Sequence, residues 1–259
     1  MRQIYTVFML FITSIGMVPA QVNDTIRIDS SYENSGQSKT KFINTPYAGL
    51  IVPAVTISYG FLAHNVNALR QFDINTQQKV QKHFTGKIHA DDYMQYAPAV
   101  AVYGLDLFVK AKHNFVDRTF LMTTSYIISS ASIHAVKRFT HIQRPNGSNH
   151  LSFPSGHTST AFVGAHLLFK EYKDTSPWIG VTGYAVAGCI GAIRIYNNRH
   201  WFSDVVAGAG FGMLSVEVSY LLLPVFHRII GDKGDQPSFS IAPVVGFNNY
   251  YGVGIACTF

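Results

Sequence analysis

Between Pro46 and about residue 230 the chain passes through six apolar stretches of helical length, at roughly 47–64, 93–112, 116–137, 157–172, 178–194 and 202–229. Their apolar residues recur with helical spacing, which predicts an all-α fold. Helices this apolar must hide most of their surface, against one another or in lipid. Only 13% of residues are charged while 47% are hydrophobic, which excludes a disordered chain and is sparing of charge for a soluble enzyme. The expected architecture is therefore a six-helix bundle embedded in a membrane. Residues 47–63, 178–193 and 205–226 are the best candidates to cross a bilayer. Glu217 and several glycines interrupt the last of these, and Asp106 and Lys110 interrupt the second stretch, so a bundle half-immersed in lipid fits the same pattern. Asp91 and Asp92 before Tyr93, and Ser176-Pro177 before Trp178, read as helix starts.

The two ends differ from this middle. Met1 and Arg2 precede an apolar run over 4–18, and Val18-Pro19-Ala20 puts small residues before Gln21, so residues 1–20 read as a cleaved secretory signal. Residues 21–45 are rich in Asn, Asp, Ser, Thr and Lys and read as a polar exported tail. In the C-terminal extension, 231–259, two period-two runs flank Asn248-Asn249 and predict a small β-hairpin. Two strands cannot close a membrane barrel, so the hairpin is expected as an appendage. Cys189 and Cys257 give no disulfide framework, and Cys189 reads as a packing residue of its apolar run. The formal charge of +6 favours anionic lipid or phosphorylated substrates. No basic stripe interleaved with aromatics points to nucleic acid.

The chemistry lies in a dispersed set of residues. Lys137 is followed after six residues by Arg144-Pro145, then by Pro154-Ser155-Gly156-His157, Arg194, His200 and Asp204. Each piece alone is weak, since Pro-Ser-Gly is a common turn and a histidine on an apolar helix is commonly a packing residue. Together their order and spacing resemble the phosphatidic acid phosphatase type 2 superfamily, whose signature is K-x6-RP, PSGH and SR-x5-H-x3-D. The motifs span Lys137 to Asp204, and the helix pattern extends the likeness to a phosphatase domain over 46–230. Two departures stand out: Ile193 replaces the serine before the arginine, and only eight residues separate Pro145 from Pro154. The short spacing disfavours the soluble acid phosphatases of the superfamily.

These residue types suit phosphoryl transfer, where charge spread over three equatorial oxygens must be held while entering and leaving atoms stay in line. Lys137, Arg144 and Arg194 supply positive charge, with arginine's fork matching two oxygens at once. Ser155 and Gly156 precede an apolar run that begins near His157, which places a hydroxyl and free amides at a helix N-terminus. His200 and Asp204 are four apart, so the carboxylate can hold one ring nitrogen while the other attacks. The resemblance implies a phosphohistidine on His200 and a general-acid role for His157. Trp201 and Phe202 are expected to pack the helix.

No metal and no cofactor is expected: the histidines, including His134, His141 and His166, match no compact ligand spacing, and the three cations do what a divalent ion would do. The resemblance implies a lipid phosphate phosphatase of the inner membrane whose site faces the periplasm. Lipid A is the leading substrate, followed by undecaprenyl pyrophosphate and phosphatidylglycerophosphate. A soluble periplasmic acid phosphatase, a vanadate-dependent haloperoxidase and a non-catalytic lipid-binding membrane protein are the alternatives.

Overall fold

The computed structural model describes residues 48–83, 86–230, 238–246 and 250–258. The expected signal and tail lie outside the described residues. Eight helices are present among them: α1 (Ile51–Ala63), α2 (Asn67–His83), α3 (Asp91–Met94), α4 (Ala97–Gly104), α5 (Phe115–Thr140), α6 (Gly156–Tyr172), α7 (Pro177–Tyr196) and α8 (Phe202–Ile230). Near the C-terminus β1 (Ser238–Gly246) pairs antiparallel with β2 (Tyr250–Thr258), with Phe239 opposite Cys257 and Gly246 opposite Tyr250. The turn expected at Asn248-Asn249 falls outside the described residues.

The helix count departs from six in two places. α2 has little apolar face of its own and buries only Asp73. It docks by polar contacts instead, Gln77 Nε2 donating to Asn198 Oδ1 at 3.0 Å and Gln81 Nε2 to the Tyr196 carbonyl at 3.0 Å. The stretch expected as one helix over 93–112 is divided into α3, α4 and a 3-10 turn at Leu105–Leu107. The chain leaves the helix where Asp106 turns to pair with Arg118 of α5. Asp91 and Asp92 do not cap α3: Ala90 holds the cap position without a side-chain bond, and both carboxylates reach toward other helices. α7 does begin at Pro177, whose fixed backbone angle suits a first helical position.

α6 is the hub, packing against α4, α5, α7 and α8. It is buried almost all round, from Thr158 to Tyr172. Val102, Leu121 and Val216 join its Val163, Leu167 and Tyr172 in the largest core cluster among the described residues, each fully buried. Two glycines of α8 bring the chains close. A Cβ on Gly208 would fall 2.5 Å from the Ser155 carbonyl oxygen, and one on Gly212 would fall 2.5 Å from that of Ser159. This small-xxx-small spacing lets the α8 backbone lie on the first turn of α6.

Charges inside the bundle are paired, as burial requires. Glu217, which interrupts the apolar run of α8, accepts from His166 Nε2 at 2.8 Å and Lys170 Nζ at 2.7 Å. The outer surface is apolar in several places, with Ile51, Val52 and Val55 of α1, Ile127 of α5, Trp178 and Val181 of α7, and Leu221, Leu222 and Val225 of α8 exposed. Cys189 is also exposed, contrary to its expected packing role, because α7 buries the opposite stripe of Gly180, Gly183, Ala187, Ile190 and Gly191. α7 and α8 are each long and apolar enough to cross a membrane.

Candidate active site

Four helix ends bring the motif residues together. α5 ends at His141 in a left-handed conformation (φ 50°). The following loop folds back through Ser152 N donating to the Ile142 carbonyl and Arg144 N to that of Asn149, both at 2.9 Å. α7 ends before Asn198, whose φ of 58° turns the chain toward His200. Ser155 N then donates to the Asp204 carbonyl at 3.0 Å, joining the start of α6 to the start of α8.

Asp204 is fully buried and heavily engaged. Its carboxylate accepts from Trp201 N at 2.9 Å and Ser152 Oγ at 2.5 Å. It also faces His200 Nδ1 at 3.4 Å and His64 Nε2 at 3.2 Å. With Nδ1 turned to the carboxylate, Nε2 is the ring nitrogen of His200 left to act as a nucleophile. His200 is 2% exposed. Burial pushes its pKa down to about 4 against the pull of Asp204, and the nearby Lys137 and Arg144 push the same way.

Arg144, His157 and Arg194 share the wall of a cavity of about 280 Å³, together with Lys87, Asp91, Asp92 and Arg199. Nε of Arg144 and Nε of Arg194 are buried without a hydrogen-bond partner. An unmet donor of this kind costs about 1–3 kcal/mol, and an anion is the partner such groups suit. Burial and the neighbouring Arg194 and Arg199 lower the pKa of Arg144. Lys137 Nζ donates to the carbonyls of Leu151 at 2.7 Å and Ser152 at 3.2 Å, at the loop's return. Gly156 begins α6, whose first amides have no intrahelical acceptor. The Ser155 hydroxyl meets Thr158 Oγ1 at 2.9 Å and is enclosed, so it faces the helix turn rather than the cavity. His200 and Asp204 do not form part of the cavity wall.

Asp91, Asp92, Asp73 and His64, none of them in the motifs, complete the arrangement. Asp91 pairs with Arg194, and Asp92 lies 2.8 Å from His157 Nε2 and 3.8 Å from Arg194. The hydrogen bond from His157 holds the Asp92 carboxyl below its usual range, helped by Arg194. On the far side of Asp204, Asp73 accepts from Ser203 N at 3.0 Å and from Ser203 Oγ at 2.5 Å, and that hydroxyl lies 3.3 Å from His64 Nε2. The doublet Asp91-Asp92 ahead of an apolar stretch was the one sequence signal for any of these four. Trp201 packs as expected, with Arg70 stacked 4.1 Å over its ring and its Nε1 donating to the Gln143 carbonyl at 2.9 Å.

Among the described residues, Asp91, Asp92 and His157 are the group whose ligand-type atoms lie within 4.8 Å of one another, as a metal would require. The guanidinium of Arg194 already sits on Asp91 as the local cation. His166 turns to Glu217, and His134 bonds the Ser130 carbonyl of its own helix at 2.8 Å.

Residues 118–228 match the family model described as the PAP2 superfamily. A lipid A 1-phosphatase of Porphyromonas gingivalis is 49% identical over 85 residues, which are 33% of this chain and 19% of that protein. The chain thus matches under a fifth of that relative's length. Among solved structures, the transmembrane PAP2 type phosphatidylglycerolphosphate phosphatase of Bacillus subtilis superposes with a TM-score of 0.48 at 19% identity, over 72% of this chain and 98% of that one. LpxE of Aquifex aeolicus gives a TM-score of 0.40 at 21% identity, over 62% of this chain and 92% of that one.

Proposed function

From a chain whose residues 118–228 match the PAP2 superfamily model, we infer a phosphatase that hydrolyses a lipid-linked phosphate through a phosphohistidine on His200. The observation that carries this reading is the pair of buried, unpartnered Nε donors of Arg144 and Arg194 on one cavity wall with His157. Lys137, Arg144 and Arg194 hold the equatorial oxygens, and the amides at the start of α6 add donors aligned with the helix dipole. His200 Nε2 attacks phosphorus while Asp204 fixes Nδ1 and steadies the charge that the ring gains. His157 protonates the leaving oxygen, and water, activated by the same ring, then cleaves the phosphorus–nitrogen bond. Held neutral by burial, His200 is ready to attack without first losing a proton.

The apolar exposed faces of α1, α7 and α8 support an integral membrane protein, since water-facing patches of that kind are unfavourable. The name of the Porphyromonas relative favours lipid A as substrate, ahead of undecaprenyl pyrophosphate and phosphatidylglycerophosphate. The reading places the chain in the inner membrane with its cavity toward the periplasm.

The test is phosphate release by protein purified in detergent with EDTA, comparing lipid A, undecaprenyl pyrophosphate and a small phosphate ester, with His200→Ala as control. Release that is lipid-selective and lost in His200→Ala is expected. Release from the small ester alone would indicate a soluble-type acid phosphatase, and no release from any substrate would end the phosphatase reading.

A further inference from the structure

α3 is a four-residue helix, yet it is firmly placed. Buried Asp91 pairs with Arg194 of α7, and Gln95 Nε2 donates to the Asp92 carbonyl at 2.8 Å. Just upstream, Ile88 N donates to Asn197 Oδ1 at 2.9 Å while Asn197 Nδ2 donates to the Ile88 carbonyl at 2.7 Å. These contacts present the Asp92 carboxylate to His157 Nε2 at 2.8 Å. Both side chains are partly open to solvent, at 51% and 30% exposure. A pair this exposed adds little to stability, so stability does not account for its placement.

The electrostatic setting does. An acid that donates a proton here must carry it close to Arg194, whose Nη1 lies 3.8 Å from Asp92 and which, with Arg144, lines the same cavity as His157. Those cations disfavour an imidazolium, and a carboxylate on the ring offsets them. We propose that Asp92 is the positioning residue of His157, so that two His–Asp pairs serve the site: Asp204 behind the nucleophile and Asp92 behind the acid.

The proposal rests on the general-acid reading of His157 and assigns its atoms. Nε2–H donates to Asp92, which leaves Nδ1–H to face the ester. As the bond from phosphorus to the leaving oxygen breaks, its electron pair stays on oxygen, and that oxygen takes the Nδ1 proton. The ring is left neutral, with Nε2–H still on Asp92. In the second step water gives a proton to Nδ1 as its oxygen bonds phosphorus, and the pair of the broken phosphorus–nitrogen bond returns to His200.

The test compares kcat/KM of wild type, Asp92→Asn and Asp92→Glu on dodecyl phosphate, whose alkoxide needs a proton to leave, and on p-nitrophenyl phosphate, whose phenolate does not. Asp92→Asn is expected to lose on the order of 10- to 100-fold on dodecyl phosphate and under about 3-fold on p-nitrophenyl phosphate, with Asp92→Glu recovering most of the loss. Equal losses on both esters would make Asp92 a merely structural residue and overturn the proposal. An unchanged or raised rate on dodecyl phosphate would overturn it too, marking Asp92 as a competitor for His157. A folded wild type that releases phosphate from lipid A but from neither ester would move the same comparison of variants to lipid A, where no loss in Asp92→Asn overturns the proposal, and one that releases phosphate from none of the three would sink the phosphatase reading and this inference with it.

Discussion

His200 Nδ1 stands 3.4 Å from Asp204 Oδ2, and the same carboxylate oxygen accepts from Ser152 Oγ and Trp201 N. One acid therefore orients the His200 ring and ties together the loop after α5 and the start of α8.

Asp204→Asn keeps the size of that side chain but cannot accept from all of these donors while holding the ring's charge. Turnover is expected to fall on the order of 10³- to 10⁴-fold. His200→Ala should lose the covalent intermediate entirely. Trapping with radiolabelled substrate and an alkaline quench, in which phosphohistidine survives, checks both. A wild-type yield of phosphoprotein from His200→Ala would place the nucleophile elsewhere.

The low pKa of His200, about 4, sets a pH expectation. A histidine whose pKa is depressed stays neutral through the mildly acidic range and is protonated only as pH falls through about 4. Single-turnover phosphoryl transfer to His200 should thus persist at pH 5 and be lost below about 4. A loss centred on the ordinary histidine value, about 6.5, would show that burial does not control this ring.

Arg144→Gln and Arg194→Gln each remove a guanidinium whose buried Nε is otherwise unmet. Each is expected to lower kcat/KM about 10²- to 10³-fold, the scale of losing one oxyanion donor. Lysine should rescue poorly, since it has no fork. Isothermal titration with orthovanadate, a phosphate-like oxyanion, should show weakened binding in both variants, and undiminished binding would separate these arginines from the anion.

Gly208→Ala and Gly188→Ala form a matched pair on neighbouring helices. The first places a methyl 2.5 Å from the Ser155 carbonyl oxygen, while the second meets nothing within 4 Å. Overpacking at Gly208 is expected to cost about 1–3 kcal/mol and to impair activity by shifting the start of α6. Thermal unfolding in detergent should show a lower Tm for Gly208→Ala and none of that loss for Gly188→Ala.

The sequence was most legible where chemistry is written locally. Arg144, His157 and Arg194, which the resemblance grouped, line one cavity, and His200 and Asp204, four apart in the chain, face each other. It was least legible where position depends on polar docking. α2 shows no apolar stripe because its anchor points are Asp73, Gln77 and Gln81, so apolar periodicity passed over it. His64 and Asp92 lie 140 and 65 residues from the partners they meet, and no local pattern encodes such contacts. Ser155 shows the limit of motif logic in the other direction, since packing turned its hydroxyl inward to Thr158.

The contacts of His64 and Asp73 bear on where this protein could be cut. A fragment trimmed to 118–228 would retain every signature residue. It would lose His64 from Asp204, Asp73 from Ser203, Asp92 from His157 and Asp91 from Arg194, and it would strip α1 from the face of α8. The signature segment is therefore no transplantable cassette: grafted alone into another scaffold, it would carry the ligands of the cage without the struts that aim them.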